Sequence, residues 1–447
     1  MSASVSSPVS STLHFQAQAS AFASAASDRA PAPLATLRAA GAEAFARLGF
    51  PTTRSEDWKY TSVSSIANTP FVAAQDRAVG ALDAAALEPY TFGGTWPLVV
   101  FLNGRYAPAL SSIGALPDGV RVMDLATAAV QEPELLARHL GVAAPADRDG
   151  FTALNAAFAG EGVLIHVAKE MVTDVPVHIL HVTDANGAGV MSHARHLLVA
   201  ERHAKASVIE SYVSLADVSY FTNAVVEVSV DDGATLQLLR IQRESPTAFH
   251  VGTVEARQGR DSHFMAFTFQ TGAALSRSNV FTVLAGEGCG TTLNGLYMLD
   301  SAQHGDHQTR VEHVAPHCFS REAYKGLLDD ASHGVFNGKV YVHPEAQKTD
   351  GKQTNNTLLL SKEAQIDTKP QLEIFADDVK CTHGATVGRI DETALFYLKS
   401  RGVGQLLARQ LLMYAFAADV LETIENEAVK EALEQLTMVR FTGETSH

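Results

Sequence analysis

The spacing of apolar residues changes character twice along the chain. Between Pro31 and Leu48, the residues Leu34, Leu37, Ala40, Ala44, Phe45 and Leu48 recur at helical spacing, and Gly49-Phe50-Pro51 ends the run. Residues 98–103 read as a short strand entering an Asn103-Gly104 turn, and residues 124–140 and 155–159 return to helical spacing. From Gly162 short runs of β-branched and aromatic residues alternate with polar ones, and no long helix interrupts them before Gly388. After Gly388 the helical period resumes. Asp391 is placed as an N-cap and Gly402 as a stop, and Leu407, Leu411, Ala415, Ala418 and Leu421 stripe the next helix. Helices this apolar need a cover, supplied by the β region or by a partner.

Within the β region an apolar strand end is followed by a short polar turn at 199–204, 230–234, 284–288, 342–346 and 360–364. Such punctuation suits a β-helix or another stacked β architecture. Its uneven interval suits a β-sandwich of hairpins equally. The chain therefore divides into residues 1–30, a mainly helical N-terminal domain at 31–160, a β core at 161–388 and a helical C-terminal domain at 389–447. Residues 1–30 are mostly Ser and Ala. They lack the basic start and apolar core of a secretory signal, and are expected to be a disordered tail.

Composition narrows the classes. The 447 residues carry a net charge of −15, which argues against nucleic-acid binding. No apolar stretch of about 18–20 residues is present to span a membrane. Three cysteines, Cys289, Cys318 and Cys381, are too few and too scattered for a disulfide framework, and suit a reducing cytoplasm. There is no Cys-x-x-Cys for a self-contained zinc or cluster site. Gly286-Glu287-Gly288-Cys289-Gly290 lacks the Lys-Ser/Thr of a phosphate-binding loop, so ATP hydrolysis is not expected of this chain alone.

Two groups carry candidate chemistry. On a strand, Val379, Cys381 and His383 share one face, and positions two apart lie roughly 6.5–7 Å from each other. A thiolate and an imidazole at that spacing could reach one metal ion or small cluster, but two ligands are too few to hold it. The plainer reading is a small buried Cys381 beside a hydrogen-bonded His383. The second group is His304, Asp306, His307, His313, His317 and Cys318; its four histidines could form a mononuclear metalloenzyme site with Asp306 orienting a ligand, or merely polar rungs of a β stack.

Several motifs are similar to those of one family. They are the run from Glu345 to Ser361, Ile366 to Ile374, Asp377 to Gly388 and Leu395 to Gly402. Pro316-His317-Cys318 with Ser320-Arg321 and Tyr324-Lys325-Gly326, and Arg54 to Thr61, complete the set. Together they resemble the SufB/SufD family of the SUF iron–sulfur cluster assembly system, and the lack of extra cysteines places the chain nearer the SufD branch. The resemblance implies a right-handed parallel β-helix core with helical flanking domains, acting as a non-catalytic scaffold. It implies pairing with SufB through the β-helices, self-association where SufB is absent, and docking of the ATPase SufC on the C-terminal helices. A transient iron or iron–sulfur cluster would form at the SufB interface, with His383 and, second to it, Cys381 as the contributing residues. Whether a flavin binds is left open.

Overall fold

Successive strands from residue 195 onward alternate between two sheets in the computed structural model, which describes residues 8–26, 31–77 and 81–440. Each strand therefore pairs with the next but one. His304–His313 lies between Leu275–Leu284 and His333–Val342, parallel to both and in unbroken register over ten residues. Hairpins of a sandwich would give antiparallel pairs, so the core is a parallel β-solenoid. The antiparallel strand pairs are at the N-terminal end, where Val120–Asp124 joins Val163–Val167 and Leu98–Leu102 joins Arg105–Tyr106. Strands from the N-terminal region thus belong to the same two sheets.

The uneven repeat has a simple cause. Stacked positions at one corner run Ala200, Val230, Gln258, Leu284, His313, Val342 and Ile374, by register. The coil length is thus 26–32 residues (284 − 258 = 26; 374 − 342 = 32). The turn at 360–364 follows the other sheet, after Asp350–Leu359, so the apparent repeat mixed two corners. At the first corner one residue per coil adopts a left-handed backbone: His203, Gly233, Asp261, Gly288, His317 and Lys348. The N–H of each donates to a carbonyl of the following coil, from His203 to Asp232 O through Lys348 to Asp378 O. This ladder satisfies corner backbone groups that a buried turn would otherwise leave unpaired.

The N-terminal helices are α1 (Pro8–Ala26), α2 (Ala32–Leu48), α3 (Ser64–Asn68), α4 (Leu125–Gln131), α5 (Pro133–His139) and α6 (Gly150–Ala157). The expected disordered tail is corrected over α1, where Phe15 and Ala19 are buried and the Phe15 ring meets Phe50 edge-on at 4.9 Å. Ala and Ser dilute that apolar face, which hides its period; residues 1–7 and 27–30 lie outside the described set. The aromatic segment at 54–61 is an anchor: Trp58 stacks on Phe151 and lies under Arg277, whose Nη1 donates to Asp57 O.

At the other end come α7 (Glu392–Ser400), α8 (Gln405–Leu421) and α9 (Glu427–Arg440). Asp391 caps α7 by accepting from Thr393 N–H at 2.8 Å, and Gly402 follows with φ 86°. Met413, Ala417, Val420 and Leu421 pack on Leu239, Phe267, Leu296 and Leu327 of the solenoid. The buried stripe is thus rotated from the expected one, and Leu407 and Leu411 face outward with Phe396, Tyr397 and Leu406. Among the described residues no helix is long and apolar enough to cross a membrane.

Candidate nascent-cluster site

Both sheets end without a cap. The last strands are Gln365–Ile374 in one sheet and Lys380–Gly388 in the other. In earlier coils alternate side chains fill the interior, as Gln353, Asn355 and Thr357 do, each about 1% exposed. The residues one coil on, His383, Ala385 and Val387, stand in register with these three but are exposed. His383 makes no side-chain hydrogen bond among the described residues. Cys381 is half-buried beside Val379 and Leu372 on a small cluster of Val340, Val342, Ala346 and Ala376. Val379 and Cys381 thus share the inner face, as alternation requires. Burial raises the Cys381 thiol, so it stays protonated where a ligand would need to be thiolate. Of the two candidates, His383 is the more exposed.

The histidines between 304 and 317 do not converge. His304 points outward, 2.9 Å from Thr61 Oγ1 and 4.8 Å ring to ring from His333. His307 points inward between Tyr297 and Tyr324, and His313 points inward to Ser320 Oγ at 3.0 Å. These two inward residues are six positions apart, roughly 20 Å along a strand. His317 sits exposed on the corner. Strand extension, not composition, removes the single-site metalloenzyme reading built on these four.

One cluster was not legible in the sequence. His181, His196 and Glu210, from three strands, offer ligand atoms within 4.8 Å of one another, all buried. Their hydrogen bonds account for them without a metal. Val163 N–H donates to His196 Nδ1 at 3.1 Å, so the ring proton is on Nε2, which donates to His181 Nε2 at 3.1 Å. A ring fixed in this tautomer has no free Nε2 lone pair for a metal. Arg240 Nε and Tyr212 Oη each donate to Glu210 at 2.6 Å. Burial works to raise the Glu210 carboxyl, but Arg240, with His196 and His181, brings it down to about 2; burial holds His196 at about 4. The only sequence signal was a histidine at an inward strand position, which is indistinguishable from an outward one until register is known.

From this knot a seam of inward polar residues runs along the solenoid through Thr268, Gln270, His307 and Glu322 to Gln353, directly beneath His383. Burial raises Glu322 to about 7, and Gln353 Nε2 donates to its Oε1 at 3.1 Å.

Comparison with known proteins agrees with this architecture. The family model described as "SUF system FeS cluster assembly, SufBD core domain" matches residues 181–416, and "SufBD protein N-terminal region" matches residues 14–179. The chain is 36% identical to the iron–sulfur cluster assembly protein SufD of Escherichia coli (strain K12) over 388 residues, covering 86% of this chain and 88% of that protein. It is 32% identical over 416 residues to an iron–sulfur cluster assembly SufBD family protein of Synechocystis, covering 91% of each. SufD of Bacillus subtilis is 29% identical over 322 residues, covering 70% of this chain and 72% of that protein. A solenoid of this form, matched along nearly its whole length, belongs to the SufBD family of iron–sulfur cluster assembly proteins.

Proposed function

We propose that this chain is a SufD-type scaffold subunit that supplies one half of a nascent-cluster site, completed by SufB. The observation that carries this reading is the uncapped final coil, which holds His383 exposed in a column whose earlier members are buried. An open parallel edge is a template for another strand, and Ile374, Phe375 and Val387 beside it are exposed apolar surface. A partner solenoid seated there would bury that surface and bring its own ligands to His383. Cys381 would be the secondary contributor, since its thiol must first lose a proton. Iron or the growing cluster is cargo at this site, not a resident group.

The outward face of α7 and α8, with Phe396, Tyr397, Leu406, Leu407 and Leu411, is the surface we assign to the ATPase SufC. Its contacts to the solenoid through Met413 and Ala417 would transmit nucleotide-driven movement to the sheets. Anaerobic co-expression with SufB and SufC tests the assembly. The expected result is one stable complex containing all three chains. Elution of this chain apart from both partners would overturn it.

A further inference from the structure

The geometry points to Cys289 and Cys318 as an oxidative modification site, a dithiol that a peroxide-class oxidant converts to a disulfide between adjacent coils. Far apart in sequence, the two are stacked in the fold. Gly290 and Phe319 are register partners, and Phe319 N–H donates to Cys289 O at 2.9 Å. Stacked positions of neighbouring parallel strands have Cα atoms roughly 4.8 Å apart. That is inside the range of roughly 4.4–6.8 Å that a disulfide bridges. Both sulfurs converge on one carbonyl: Cys289 Sγ lies 2.9 Å and Cys318 Sγ 3.3 Å from Gly286 O. Both thiols are free, and they belong to the same apolar core.

The surroundings favour chemistry at Cys289. Its sulfur accepts from Ser262 Oγ at 3.9 Å, and the Cys318 hydrogen bond lowers its thiol to about 7 while the Cys318 thiol is raised. Cover is thin: the turns at 285–288 and 314–317 are half-buried to exposed. A small peroxide has only this layer to pass. The Cys289 thiolate would attack a peroxide oxygen, giving a sulfenic acid and hydroxide. Cys318 sulfur would then attack the sulfenic sulfur, and its proton would leave with the displaced hydroxyl as water. In sum, two thiols and one hydrogen peroxide give one disulfide and two waters. Cys381, in a different core cluster and with no second thiol beside it among the described residues, takes no part.

The test treats the full-length reduced chain with hydrogen peroxide, alkylates it under denaturing conditions and maps peptides without reduction. The expected result is loss of two of the three alkylatable thiols, a Cys289–Cys318 linked peptide, and recovery of both thiols with dithiothreitol. Cys381→Ser should leave the linked peptide unchanged, and this variant does not disturb the core pair. Cys289→Ser and Cys318→Ser should each abolish it. Three thiols that stay alkylatable, a link involving Cys381, or oxidation of Cys289 to sulfinic acid without pairing would each overturn the inference.

Discussion

Gln353 and His383 are register partners on neighbouring parallel strands, yet Gln353 is buried and His383 is exposed. The difference is one missing coil. Lys380 N–H donates to Thr349 O, so alternation turns the N–H groups of Cys381, His383, Ala385 and Val387 toward the open edge. Replacing Ala385 with proline removes one of these outward donors while leaving the ladder to Asp350–Leu359 intact. Ala385→Pro should keep its melting temperature within about 3 °C of the parent and lose association with SufB. Retained association in a pull-down would show that this edge is not the docking surface.

The joint between the N-terminal region and the solenoid rests on a buried ion pair. Arg195 Nη2 and Glu227 Oε1 are 2.7 Å apart, both side chains fully buried. Glu227 also accepts from the N–H groups of Gly141, Ala143 and Ala144, and Arg195 donates to Asn155 Oδ1. Glu227→Gln leaves a buried guanidinium uncompensated and should cost about 3–5 kcal/mol in urea unfolding. A loss under about 1 kcal/mol would mean the pair is dispensable.

Glu322 makes a pH prediction. Burial raises its folded value to about 7 from 4.5. Between those values the folded chain keeps a proton that the unfolded chain has released, so this group's contribution to stability falls as pH rises through the window. The buried histidines, including His196 and His307 at about 4, act in the opposite sense, losing stability as pH falls below 6.5. Comparison with Glu322→Gln cancels their effect. The stability difference in favour of glutamine should grow from pH 4.5 to pH 7, and a difference independent of pH would rule out the raised carboxyl.

Tyr297 and Tyr324 each lie where a glycine of the neighbouring coil leaves room. A Cβ on Gly326 would stand 2.3 Å from the Tyr297 ring, and one on Gly295 would stand 2.4 Å from the Tyr324 ring. The Tyr297 ring cannot retreat without losing its bond to Asn355 Oδ1 at 3.1 Å. Gly326→Ala should therefore cost about 1–3 kcal/mol by overpacking. At Gly351 the nearest atoms to a Cβ are Cys381 Sγ and Ser320 Oγ at 3.4 Å, and Gly351→Ala should change stability by less than about 1 kcal/mol. Equal thermal shifts for the two variants would contradict this packing.

Local signals in the sequence carried as far as elements and no further. Asp391 and Gly402 mark α7 because a cap and a stop act on the nearest turn. The strand runs after Gly162 were visible for the same reason. Coil length was not, since the two corners share turn chemistry and only the register of Leu284 with His313 separates them. The His181–His196–Glu210 knot was hidden because facing depends on that register. The Cys381–His383 pair was legible as spacing and motif, and so was its need for further ligands; the exposure of His383 was not, since it follows from the open last coil.

We have proposed that His383 completes a site with SufB. The direct test is cluster assembly by a His383→Ala chain purified anaerobically with SufB and SufC. The expected result is a complex of unchanged composition whose cluster content falls about tenfold or more. A complex that forms normally and assembles clusters at the parent level would contradict it.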